Sequence, residues 1–155
     1  MVNIKINKMR STSYRTSFFV DQTPTEVFNA INNVRGWWSE RVEGDTDRMG
    51  AEFIYEVPGA HRTKQKITEF VPGKKIVWRV LDAHLSFVKD KSEWRDTEMV
   101  FEIAAKDDKT EVRFTHKGLV PAFECYNNCS NAWNLLVKGN LRKLIATGET
   151  QPSPW

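Results

Sequence analysis

The hydrophobic pattern of this chain changes period once, near residue 120, and that change leaves few architectures open. Before it, apolar residues recur at every second position in several short runs, as half-buried strands require. After it, over residues 122–147, they recur with the 3.6-residue period of a helix that Gly148 stops, with Pro152 and Pro154 beyond. In that stretch Cys125, Tyr126, Cys129, Trp133, Leu136, Val137, Asn140 and Leu144 share one face, opposite Asn127, Asn131, Asn134, Lys138 and Arg142. A series of strands closed by one long amphipathic helix is an α+β order in which the helix lies across an antiparallel sheet.

The remaining elements follow from local signals. Residues 13–20 read as a first strand. Thr23-Pro24-Thr25-Glu26 then supplies an N-cap, a proline at the first helical position and a capping-box glutamate for a short helix carrying Val27, Phe28 and Ile31. A second helical turn is expected over 34–40, around Trp37-Trp38, and a turn region over 44–50. Alternation then predicts strands over 52–57, 64–70, 75–82, 98–104 and 110–117, with a further short one over 85–88, which makes about six or seven strands in all. Phe53 and Tyr55, Trp78, Phe101, and Phe114 with His116 fall on the inward faces of their strands, while Glu98, Glu102, Glu111, Arg113 and Lys117 mark the wet side. No repeat or linker interrupts the pattern, so one domain is expected over 1–155, with its core over about 14–149.

Charge narrows the function classes. The 23 Lys and Arg against 20 Asp and Glu are interspersed, which points away from nucleic acid and anionic membranes. No apolar run has the length of a signal peptide or a membrane span, and a cytoplasmic protein is expected. The two cysteines read as free, buried thiols rather than a disulfide or half of a zinc site, and no cofactor or metal pattern is read.

Few residues offer chemistry. An inward His116 could serve as acid, base or polar anchor, or be a core histidine satisfied by hydrogen bonds. Glu69, in alternation with Gln65 and Ile67, is expected to turn inward, where burial raises a carboxyl pKa. Glu52, Glu93 and Asp96 read as solvated charges. Asn140, inside the apolar stripe of the last helix, is a second polar group aimed at the sheet. Trp37, Trp38, Trp78, Trp94 and Trp133 supply aromatic walls suited to a flat apolar ligand, or simply to core packing.

The succession Phe18-Phe19-Val20, Pro24-Thr25-Glu26-Val27-Phe28, Trp37-Trp38, Gly50-x-Glu52-Phe53, Val77-Trp78-Arg79-Val80 and Phe114-Thr115-His116-Lys117-Gly118 resembles the START-like (SRPBCC) superfamily. It is most similar to the branch named for homologues of the activator of the heat-shock-protein-90 ATPase. Glu124-Cys125-Tyr126, Cys129-Ser130-Asn131-Ala132-Trp133 and Leu144-Ile145-Ala146-Thr147-Gly148 resemble a bacterial subgroup. The resemblance implies a helix-grip fold enclosing a hydrophobic cavity.

The expected function is therefore binding of a small hydrophobic or aromatic molecule, with no catalytic residue. Its cavity would be lined by Phe53, Tyr55, Glu69, Trp78, Phe101, Phe114, His116, Cys125, Cys129, Trp133, Leu136 and Asn140. Two alternatives stand beside it: an interaction protein that acts on a chaperone or pairs with a second copy, and a cavity enzyme of cyclase or hydrolase type using His116 with Glu69. The enzyme reading requires those two side chains to converge on one void.

Overall fold

A computed structural model describes residues 13–153 of the chain. The expectations for residues 1–12 and for Pro154, including the ends of the domain expected over 1–155, lie outside the described residues.

Seven strands form one antiparallel sheet: β1 (Tyr14–Val20), β2 (Glu43–Gly44), β3 (Glu52–Val57), β4 (His61–Val71), β5 (Lys75–Leu85), β6 (Glu98–Lys106) and β7 (Lys109–Lys117). Their spatial order is β1-β7-β6-β5-β4-β3-β2, so hairpins join β3 through β7 and the first strand returns to pair with the last. Between β1 and β2 lie helix α1 (Pro24–Asn32) and a 3-10 turn (Val34–Gly36). The capping box at α1 forms as its sequence predicts: Glu26 N donates to Thr23 Oγ1, and Thr23 N donates back to Glu26 Oε1.

The chain ends in a helical rod of three consecutive segments: α2 (Tyr126–Trp133), a π-helical stretch (Asn134–Leu141) and α3 (Arg142–Thr147). Gly148, at φ 75°, closes it by donating its N–H to Leu144 O. Its buried residues Cys129, Trp133, Leu136, Val137, Leu141, Leu144 and Ile145 share the core with the sheet, which is the helix-grip α+β arrangement. No described helix is long and apolar enough to cross a membrane.

Two β-bulges account for most departures from simple alternation. Lys64 pairs with Asp82 and Gln65 with Val80, so Leu81 is the extra residue. Inward positions therefore pass from Ile76, Trp78 and Val80 to Ala83 and Leu85. The short strand expected over 85–88 is corrected accordingly: β5 continues through Leu85, and the following residues turn away. On β4, Ile67 faces Trp78 and Glu69 faces Val77, which makes Thr68 the second extra residue.

The other differences are small. β4 starts at His61 rather than 64, two residues within or beside the expected turn region form β2, and the second helical turn reduces to Val34–Gly36. The last helix begins at Tyr126 rather than 122. The two residues that lead into it are held from a distant loop, with Glu124 N and Cys125 N both donating to the Glu93 carboxylate, at 2.9 and 3.3 Å. Glu93 thus has a structural task that no local pattern announced.

Candidate functional site

The concave face of the sheet brings together most of the side chains that alternation aimed inward. Phe53 on β3, Trp78 on β5, Phe101 on β6, and Phe114 and His116 on β7 are fully buried, Tyr55 nearly so. From the helix side Cys125, Cys129, Trp133 and Leu136 close on them. Ring contacts fill much of the space between the two layers: Trp133 lies 4.7 Å from Phe114, and Trp78 lies 4.8 Å from Phe101 and 5.0 Å from Phe53, centroid to centroid.

Trp38 completes the bridge. Its ring lies 4.6 Å from Tyr55 and 5.9 Å from Trp78 on the sheet, nearly parallel to the latter at 8°, and 5.3 Å from Trp133 on the helix. The segment carrying it is pinned by its backbone. Gly36 O accepts from Gln151 N, Trp37 O from Asn140 Nδ2 at 3.1 Å, and Trp38 O from both the N–H and the hydroxyl of Ser153. Asn140 therefore points at the Trp37 carbonyl rather than at a pocket.

The hydrogen-bond pattern fixes the state of His116. An indole N–H can only donate, so the 3.0 Å contact from Trp133 Nε1 requires an unprotonated Nδ1. The ring proton then sits on Nε2 and is donated to Thr97 Oγ1 at 2.8 Å. The Thr97 hydroxyl in turn donates to Trp94 O at 2.6 Å. Every polar atom of the neutral ring is used, and burial pushes its pKa down to about 3. His116 is a core histidine satisfied by hydrogen bonds; a proton acceptor for a reaction would have to give up the Trp133 bond.

Glu69 requires correction. The bulge at Thr68 reverses its direction, and it lies on the outer face beside Val77, paired with Lys75 at 3.4 Å. There it borders a shallow hollow of about 360 Å³ with Val100, Thr115 and Lys117. His116 and Glu69 are thus on opposite faces of the sheet, and no catalytic pair can be assembled from them. The cysteines are equally inert: Cys125 Sγ accepts from Trp94 Nε1 at 3.3 Å, and its hydrogen bond to Cys129, followed by burial, pushes the Cys129 thiol up. Among the described residues, no three His, Cys, Asp or Glu side chains converge as a metal site requires.

Sequence reasoning passed over the polar side of β4. His61, Thr63 and Gln65 point inward in a row, with Thr63 and Gln65 fully buried. Gln65 Nε2 donates to Thr63 Oγ1, which lies 3.4 Å from His61 Nε2. His61 stands edge-on to Trp94 and Tyr55 and borders an outer hollow of about 250 Å³ with Val57, Ala60 and His84. Burial pushes its pKa down to about 4. The available signal was Arg62, Lys64 and Lys66, whose charges fix the wet face and leave the residues between them to point in.

A family model described as "Activator of Hsp90 ATPase homolog 1-like protein" matches residues 21–146. The chain belongs to this family. Among curated proteins, none matches it. Solved structures support the fold. The Aha1 dimer from Colwellia psychrerythraea superimposes with a TM-score of 0.70 at 18% identity, over 88% of this chain and 97% of that one. A protein from Chromobacterium violaceum gives 0.60 at 17%, over 86% and 97%. CalU16 from Micromonospora echinospora gives 0.60 at 17%, over 86% and 76%. For this START-like, Hsp90-activator-like family member, likeness at these identities concerns the fold.

Proposed function

We propose that this domain binds a small, flat, largely apolar molecule between the concave face of the sheet and the terminal helix, where the Trp38 ring now bridges the two. The observation that carries the reading is the buried polar row on β4. A core selected for stability alone gains nothing from burying Gln65 opposite Phe53, because a polar atom buried without a partner costs about 1–3 kcal/mol and Gln65 Oε1 has none. Yet the row runs from His61, at an outer hollow, through Thr63 to Gln65 in the aromatic interior, where Trp78 Nε1 also lacks a partner.

Such a row guides and orients a ligand whose body is held by aromatic rings. Because rings fill the interior, entry requires Trp38 to swing away from Tyr55 and Trp133, and association is expected to be slow. The test is a titration with fatty acids, flavonoids and sterols, following backbone and indole N–H resonances of Trp38, Trp78 and Trp133. Saturable shifts confined to these residues support the reading; their absence across the whole panel removes it.

The family description motivates the rival reading of a chaperone-directed interaction protein. An Hsp90-type ATPase rate unchanged at saturating protein would dispose of it.

A further inference from the structure

The inward-facing groups select a chemical class of ligand, an inference that rests on the binding reading above. Among the described residues, the one buried acid is Glu111, held on the outer face by Lys106 and Arg113 at 3.1 Å each. Among the described residues no lysine or arginine is buried. A carboxylate deep in the grip would find no buried lysine or arginine to pair with, since Arg41, which acts on Tyr55, is exposed and His61 is neutral at pH 7; an ammonium would find no buried anion. An unpaired charge in such surroundings is strongly disfavoured.

Among the described residues four buried side-chain polar atoms lack a partner: Asn32 Oδ1 on the first helix, Ser130 Oγ on the last, and two on the inward face of the sheet. Trp78 Nε1 can only donate and Gln65 Oε1 can only accept, and both are buried without a partner. Both residues neighbour Phe53: Gln65 is paired with it across the strands, and the Trp78 ring meets it at 5.0 Å and 84°. A neutral group that accepts from one and donates to the other satisfies both at once, and the smallest such group is a hydroxyl. The rings that surround Trp38, Tyr55 on one side and Trp133 on the other, admit a flat body the size of an indole.

We propose that the site takes a neutral hydroxylated aromatic molecule of about two fused rings, its hydroxyl accepting from Trp78 Nε1 and donating to Gln65 Oε1. It discriminates against carboxylates of the same shape.

Three probes built on one ring system separate the contributions: 2-naphthol, naphthalene and 2-naphthoate, titrated at pH 7 with amide shifts as readout. The naphthol is expected to bind about thirtyfold tighter than naphthalene, the worth of two satisfied hydrogen bonds, and the naphthoate more weakly than either. In Gln65→Met, which keeps the side chain's length and removes the acceptor, the naphthol preference should fall to about fivefold, the worth of the one remaining bond from Trp78 Nε1. Gln65→Leu repeats the test should the first variant fold poorly.

If naphthalene and naphthol bind the natural chain equally, or naphthoate binds best, the hydroxyl assignment is overturned while the binding reading survives. If the naphthol preference persists unchanged in both Gln65 variants, the assignment to Gln65 is likewise overturned. If none of the three binds, this proposal falls, and whether the binding reading falls with it is decided by the separate panel of fatty acids, flavonoids and sterols.

Discussion

Acidification should weaken this fold through His116 in a way that one substitution can isolate. The ring has an ordinary pKa of 6.5 in the unfolded chain and about 3 in the fold, lowered by burial. Between these values the unfolded chain binds the proton and the folded chain does not. Stability is therefore complete above about pH 6.5 and declines as pH falls, until the folded ring itself titrates near pH 3. Integrated from pH 7 to pH 5, the loss from this residue is about 2 kcal/mol, with a limiting slope of about 1.4 kcal/mol per pH unit.

His61, lowered to about 4, adds a loss of the same sign. Asp21 and Glu111, lowered mainly by Lys109 and by Arg113, lose their contribution further down, once the unfolded carboxylates protonate. The discriminating variant is His116→Gln. It should cost about 2–4 kcal/mol at pH 7, because the Trp133–His116–Thr97 chain is broken in a packed core. Glutamine does not titrate, however, so the gap between the two proteins should shrink by about 2 kcal/mol at pH 5. Urea unfolding followed by tryptophan fluorescence at pH 7, 6 and 5 measures both. Parallel pH profiles for the two proteins would show that His116 does not stay neutral in the fold, and the hydrogen-bond assignment would be wrong.

Other expectations concern packing and access. Gly118→Ala places a Cβ 2.9 Å from Thr97 Cγ2 at φ 100°, and should destabilise by about 1–3 kcal/mol in thermal unfolding. Gly50→Ala, at φ 79° with open space around it, should cost about 1 kcal/mol and serves as the control for backbone strain alone. Both thiols should resist an aromatic disulfide reagent at pH 8 and react only as fast as the protein unfolds globally, since Cys125 and Cys129 are buried and the latter's thiol is pushed up. Rapid reaction of either in the folded protein would contradict their burial.

What the sequence reveals and what it conceals divide along physical lines. Strand faces were legible wherever charge alternated with apolar bulk, as with Met99, Phe101 and Ile103 against Glu98 and Glu102, or Val112 and Phe114 against Glu111 and Arg113. The inward aim of His116 followed from that phase. Bulges erase the phase without leaving a compositional mark. Thr68 turned Glu69 outward and Leu81 turned Leu85 inward, which misplaced one candidate residue and created one false strand. The neutral, fully bonded state of His116 depends on Thr97 and Trp133, which no local pattern connects to it. Trp94 and Glu93 come from an irregular loop, where periodicity has nothing to say. The π-helical stretch over Asn134–Leu141 has an apolar pattern that an α-helix would produce equally well.

The three carbonyls of Gly36, Trp37 and Trp38 bear on where this domain can be cut. The helical period ends at Thr147 and the family match at residue 146, so either criterion would discard the stretch after Gly148 as a tail. That stretch supplies the donors to Gly36 O and Trp38 O, and with them it holds the indole that spans sheet and helix. A chain stopped at Gly148 should keep its sheet and helices yet exchange the backbone amides of residues 36–39 far faster, and a bulky fusion placed there would act on the interior as well as the surface. For this fold the last mechanical element is a strap of a few non-helical residues, fastened to the backbone that carries the aromatic ring bridging sheet and helix.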